Sequence, residues 1–167
     1  MPLNQSFVGR EYPPTPPYEV GLEKIREFAA AIGAPEPAYR DRSAAVALGY
    51  PDVIAPPTFP VVMTMAASHQ IFDDPELGID FTRVVHGDQR FSYVRPVHAG
   101  DALRCTCVVE EITTRAGNDF ITVRAEVVDA QDALVVTVWS KLVVRPQSPE
   151  PQSPATQSPA EGSHASR

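Results

Sequence analysis

One stretch constrains the fold more than any other: residues 56–72 read Pro-Pro-Thr-Phe-Pro-Val-Val-Met-Thr-Met-Ala-Ala-Ser-His-Gln-Ile-Phe. Thr58 suits the N-cap of a helix starting near Phe59. From there Val61, Val62, Met63, Met65, Ala66, Ala67, Ile71 and Phe72 fall on nearly every side. A helix with almost no polar face has to be buried all round, so another part of the chain must wrap it.

The second half predicts the wrapper. β-rich runs recur at 84–94, 102–114, 119–128 and 133–144, with turn signals at Gly100-Asp101, Gly117-Asn118 and Gln131-Asp132. Phe120, Thr122, Arg124 and Glu126 alternate with Ile121, Val123, Ala125 and Val127, the period of a half-buried strand. Ahead of the apolar stretch, Leu22, Ile25, Phe28, Ala29 and Ile32 recur at helical steps until Gly33. A shorter helix is expected from an Asp41 N-cap through Ser43 to Leu48, stopping at Gly49. Helices followed by a meander of long strands give an α+β order. One helix buried against one curved antiparallel sheet is the hot-dog fold.

The 167 residues, 43% hydrophobic, suffice for one core, placed in residues 1–145. Residues 146–167 repeat Gln-Ser-Pro three times without a large apolar side chain and are expected to be disordered. A net charge of −7 and scattered basic residues argue against nucleic acid as a partner. The start of the chain has neither a secretory pattern nor a membrane span, which predicts a cytoplasmic protein with no membrane contact. His69, His86, His98 and His164 lack metal-ligand spacing, so no metal is implied. Cys105 and Cys107, two apart on one strand, read as reduced packing residues.

Several segments carry a resemblance when taken together: Tyr18-Glu19-Val20, Ile54-Ala55-Pro56-Pro57-Thr58-Phe59, and His86-Gly87-Asp88-Gln89 followed by Phe91, Tyr93, Arg95-Pro96 and Ala99-Gly100-Asp101. Over about residues 5 to 145 the chain resembles MaoC-like dehydratase N-terminal domains. Within that family it is similar to small actinobacterial proteins related to the A-type subunit of (3R)-hydroxyacyl-ACP dehydratase. The resemblance implies acyl-thioester substrates, carried on coenzyme A or acyl carrier protein with no further cofactor. It places the acyl chain between the central helix and the sheet, which makes Thr58, Phe59, Val62, Met63, Met65 and Ala66 the candidate substrate-binding residues.

Catalytic members carry Gly-Asp-x-Asn-Pro-x-His after the first helix, where the Asp and His manage the leaving water and the α-proton. The matching stretch here is Gly33-Ala34-Pro35-Glu36-Pro37-Ala38-Tyr39, with Ala34 at the Asp position and Tyr39 at the His position. Losing one positioned acid or base costs about 10² to 10⁴ in rate, and here both are gone. The family also uses backbone N–H groups at the start of the central helix. Pro56, Pro57 and Pro60 offer none, leaving Thr58 and Phe59 as donors.

No residue stands out as catalytic. Glu36 and Tyr39 are candidates to replace the dyad, against the reading that they line a loop. His86 and Asp88, two apart on a strand and so able to face one way, fit either an auxiliary site or a structural pair at a bend marked by Gly87. Arg83, Arg90 and Arg95 can meet carrier phosphates or form a solvated strand face.

The expected function is an acyl-binding subunit of a (3R)-3-hydroxyacyl-thioester dehydratase, paired with a catalytic hot-dog chain. The rivals are a homodimeric hydratase or dehydratase using His86/Asp88 or Glu36/Tyr39, and a non-enzymatic acyl-CoA or lipid-binding module.

Overall fold

The alternation in 120–127 becomes the central strand of the sheet in the computed structural model, which describes residues 2–146. The expectation for the tail therefore lies almost wholly outside the described residues. The strands are β1 (Tyr18–Glu19), β2 (Val84–Tyr93), β3 (Ala102–Arg115), β4 (Asn118–Val128) and β5 (Leu134–Val144), and every pair is antiparallel in the order β1-β3-β4-β5-β2. Ile121, Val123, Ala125 and Val127 are buried on the inner face, while Arg124 and Glu126 reach outward. The β3–β4 connection is a two-residue turn, Ala116 (φ 50°) and Gly117 (φ 77°). Two positive φ values match the twist of the flanking strands, and glycine takes the second without strain.

A register shift between His86 and Asp88 bulges β2 at Gly87. A Cβ there would stand 3.0 Å from Val143 Cγ2, so the close approach of β5 selects glycine. The two edges of the sheet differ. Along β3 the N-terminal strap is hydrogen-bonded through Gly9 N to Val109 O (2.8 Å), Tyr12 N to Cys107 O (2.9 Å) and Thr15 N to Cys105 O (3.0 Å). Pro13 and Pro14 fill the positions between Tyr12 and Thr15, and Pro16 and Pro17 follow; none of the four has an N–H to donate. Among the described residues nothing pairs with the outer edge of β2.

The first helix, α1 (Leu22–Ala31), buries Ile25 and Ala29, and Phe28 sets its ring edge-on to Phe59 at 5.4 Å. Ile32, which the periodicity put on the buried stripe, falls beyond the last turn and is half exposed. The second, α2 (Arg42–Ala47), is capped as expected by Asp41, whose carboxylate accepts from Ser43 N (2.6 Å) and Ala44 N (3.3 Å).

The third helix, α3 (Val61–Phe72), departs from the sequence reading in two ways. Thr58 does not cap it. Prolines on both sides hold 56–60 in a tight turn, with Phe59 N donating to Pro56 O and Val61 N to Thr58 O, and Pro60 is the N-cap. Nor is it wrapped all round. It is the most buried helix, through Met63, Thr64, Ala67, Ser68 and Ile71, but Met65 is 55% exposed and Ala66 exposed beside it. The sheet curls around one side only, so the other side keeps apolar residues in contact with solvent.

Cys105 and Cys107 lie buried on the inner face with unbonded sulfurs 3.9 Å apart. Among the described residues no helix is long and apolar enough to cross a membrane.

Candidate functional site

Past Gly33 the chain folds back along α1, and Pro37 opens a single tight turn that ends at Tyr39. Arg40 fixes this loop by donating to Ala34 O (2.5 Å), and Arg26 donates to Arg40 O from two nitrogens (3.0 and 2.8 Å). The loop thereby brings Tyr39 to the base of α3. There it lines a cavity of about 230 Å³ with Tyr50, Tyr93, Ile54, Pro57 and Pro96. Glu36 stays exposed on the loop.

The opposite wall is held by strand-like bonds. Ala55 N donates to Val97 O (2.7 Å), Ala99 N to Val53 O (2.9 Å) and Ile54 N to Ala38 O (3.2 Å). The 96–101 turn is anchored in its own right. Arg95 grips Asp101 with two nitrogens at 2.9 Å each and reaches Asp129 at 3.2 Å, while His98 N donates to Asp101 (2.9 Å). His98 is partly buried against this carboxylate.

Burial pushes the Tyr39 phenol above its ordinary value, and Glu36 and Tyr50 add to the shift. Burial also raises Tyr93, whose hydroxyl donates to Pro57 O at 2.7 Å. At neutral pH these phenols are O–H donors and not bases. Of the two backbone donors left by the prolines, the structure removes one, because Phe59 N–H is spent on Pro56 O at 2.9 Å. Thr58 N–H has no partner among the described residues.

The six candidate substrate residues do not form one site. Phe59 is wholly in the core and Thr58 is exposed at the turn. Val62, Met63 and Ala66 line a groove of about 470 Å³ between α3 and the Pro14–Tyr18 strap. Met65 lies on the other flank, in an apolar cleft of about 230 Å³ with Phe72, Phe81, Leu142 and His86. Sequence patterning marks a residue as apolar and helical but not which flank of the helix it occupies. The reading also missed Tyr50 and Phe81, which lie in loop segments without periodicity.

His86 and Asp88 do not face one way. The bulge at Gly87 sets His86 opposite Leu142 and Asp88 opposite Lys141, which are neighbours on β5 and so point to opposite faces. His86 borders the inner cleft, whereas Asp88 borders an outer depression with Arg90, Trp139 and Lys141. The arginines are already engaged. Arg83 bonds Asp80 (2.8 Å) and Arg145 O (2.7 Å), Arg90 stacks 3.9 Å above Trp139, and Arg95 belongs to the Asp101 clamp. Among the described residues no group of three or more His, Cys, Asp or Glu is placed to hold a metal ion.

Residues 6–138 match the family described as "FAS1-like, dehydratase domain region". A UPF0336 protein of Streptomyces coelicolor is 60% identical over 145 residues, covering 87% of this chain and 97% of that protein. Among solved structures, a MaoC-like dehydratase aligns with a TM-score of 0.80 at 34% identity, covering 85% of this chain and 43% of that one, so the chain spans less than half of its length. The C-terminally truncated HadBC (3R-hydroxyacyl-ACP dehydratase) complex from Mycobacterium tuberculosis aligns at 0.75 and 30% identity, covering 82% of this chain and 96% of that one. These likenesses show the hot-dog fold.

Proposed function

This chain belongs to the family of FAS1-like dehydratase domain regions, and on that premise we propose that it is the acyl-binding subunit of a (3R)-3-hydroxyacyl-thioester dehydratase or hydratase of fatty-acid metabolism, paired with a second hot-dog chain that supplies the acid and base. The observation that carries this reading is what occupies the two catalytic positions. Eliminating water needs a base for the C2 proton and an acid that sends the C3 hydroxyl off as water. Ala34 can do neither, and Tyr39, with its phenol raised above the ordinary value, replaces no histidine at neutral pH. His86 and Asp88 lie on opposite faces of the sheet, so within one chain they cannot act together on one substrate. The elimination is redox-neutral and asks for no cofactor beyond the carrier, coenzyme A or acyl carrier protein.

The open edge of β2 supports pairing, since an unpaired strand edge is a template for another chain. It runs beside the apolar cleft, where Met65 and Phe81 stand half exposed. The HadBC structure, a dehydratase named as a complex, is a precedent among similar folds. Purified alone, this chain should hydrate a short enoyl-CoA no faster than a protein-free control. Co-expressed with a hot-dog chain bearing intact Gly-Asp-x-Asn-Pro-x-His, it should form a stable complex that turns over longer acyl groups than the partner does alone. Removing the partner's Asp or His should silence that complex. Robust turnover by this chain alone, abolished by His86→Ala or Asp88→Asn, would establish the homodimeric enzyme in its place.

A further inference from the structure

The cavity at the base of α3 keeps a binding chemistry that the missing dyad does not explain. Three of the chain's five tyrosines line it, among walls formed by Ile54, Ala55, Pro57 and Pro96. Tyr93 spends its hydroxyl on Pro57 O, which ties β2 to the turn before α3. The hydroxyls of Tyr39 and Tyr50 have no hydrogen-bond partner among the described residues, yet both side chains face this one cavity. Loop bonds from Arg40 to Ala34 O and from Ile54 N to Ala38 O hold Tyr39 in place. Meanwhile the donors that a helix start ordinarily offers a carbonyl oxygen are reduced to one: three prolines lack an N–H, that of Phe59 is used within the turn, and Thr58, which does not line this cavity, keeps the remaining one. The cavity thus has two spare O–H donors, apolar walls, and no acid or base.

We infer that Tyr39 and Tyr50 together anchor the thioester carbonyl oxygen of an acyl group in this cavity, taking over a task for which the turn before α3 leaves only the Thr58 N–H, outside the cavity lining. The inference rests on the acyl-thioester reading above and names the atoms that recognise the ligand. Two neutral donors aimed at one carbonyl oxygen hold the thioester without transferring a proton. Burial, which raises the Tyr39 phenol above its ordinary value, keeps that hydroxyl a donor across the neutral range. The cavity, about 230 Å³ and open on one side, has room for the thioester head and the first methylenes of an acyl group.

The test uses the full chain and two probes that cannot be hydrated or dehydrated: butyryl-CoA, and S-butyl-CoA, which lacks the carbonyl. By calorimetry, butyryl-CoA should bind more tightly. Tyr39→Phe and Tyr50→Phe should each weaken it about five-fold, as expected for one neutral hydrogen bond, and leave S-butyl-CoA unchanged. Equal binding of the two probes, equal weakening of both by the variants, or no binding of butyryl-CoA overturns the assignment. Equal weakening would place an amide carbonyl of the carrier arm in the cavity. Should a variant fail to fold, the infrared carbonyl band of isotope-labelled butyryl-CoA on the unaltered chain decides: a band shifted to lower frequency supports the two donors, and an unshifted one refutes them. None of these readouts involves turnover or a partner, so the anchor can fail while partner-dependent dehydration stands, and the reverse.

Discussion

Replacing Arg95 with alanine should destabilise this fold more than removing any other single charge. The guanidinium holds both oxygens of Asp101 at 2.9 Å and one of Asp129 at 3.2 Å, and Asp101 is only 6% exposed. Without Arg95 the buried carboxylate keeps the His98 N–H at 2.9 Å and an imidazole nitrogen at 3.4 Å. Breaking a buried pair by removing one partner costs roughly 3–5 kcal/mol. Arg95 itself is about one-third exposed, so the lower end, about 3 kcal/mol, applies. For a domain of this size that lowers the thermal midpoint by about 10 °C. Arg95→Lys keeps the charge but loses the two-pronged grip, and should fall between the two. The exposed pairs Lys24–Glu27 and Arg26–Glu23 on α1 supply the comparison, since breaking either should cost less than about 1 kcal/mol. Urea unfolding followed by circular dichroism measures all four. A loss below about 1 kcal/mol for Arg95→Ala would refute the clamp as the anchor of the 96–101 turn and of the cavity wall behind it.

Three further expectations follow from particular atoms. Met65→Asp should leave the chain folded within about 0.5 kcal/mol, because Met65 is 55% exposed, but should prevent co-purification with a catalytic partner; insoluble expression would restore the fully wrapped helix. Thr64 is 2% exposed and its hydroxyl lacks a partner, so Thr64→Val, equal in shape and branching, should raise stability by about 1 kcal/mol in urea; a loss would mean that the hydroxyl is satisfied in solution. Tyr39 and Tyr93 have folded pKa values above the unfolded value, so their contribution is present below about pH 10 and is lost as pH rises toward the folded values. Tyrosinate absorbance should show part of the signal appearing only as the fold melts, whereas ionisation of every tyrosine near pH 10 in the folded chain would contradict the burial.

Much of the fold was legible because it rests on local periodicity. The four long strands, the Asp41 cap and the bend at Gly87 lie where alternation, capping chemistry and glycine put them. What failed depended on contacts between distant segments. Period two made His86 and Asp88 neighbours on one face, but β5 presses on Gly87 and the bulge reverses Asp88. Thr58 looked like a cap until the flanking prolines held it in a preceding turn. The cavity at the base of α3 joins the loop after α1, the turn before α3 and the end of β2, so no window of sequence contains it. The absent dyad was legible because a motif fixes which residue types must stand at which spacing. Tyr50 has no such frame and emerged only from the fold.

The largest misreading, the helix expected to be covered on every side, bears on the pairing proposed above. An apolar count along α3 reflects every surface the helix meets, including those of other chains, whereas burial in a single chain reflects only its own sheet. The difference between the two is therefore a measure of surface left over. Here it concentrates on one flank, where Met65 and Phe81 are half exposed and Phe72 meets Phe81 edge-on at 5.9 Å. That flank borders the cleft closed on its far side by β2, the strand whose edge has no neighbour among the described residues. The opposite edge is already covered by a proline-rich strap that cannot extend a ladder further. Apolar surplus and free hydrogen-bonding edge thus fall on the same side, which is the arrangement a second sheet would need in order to satisfy both at once.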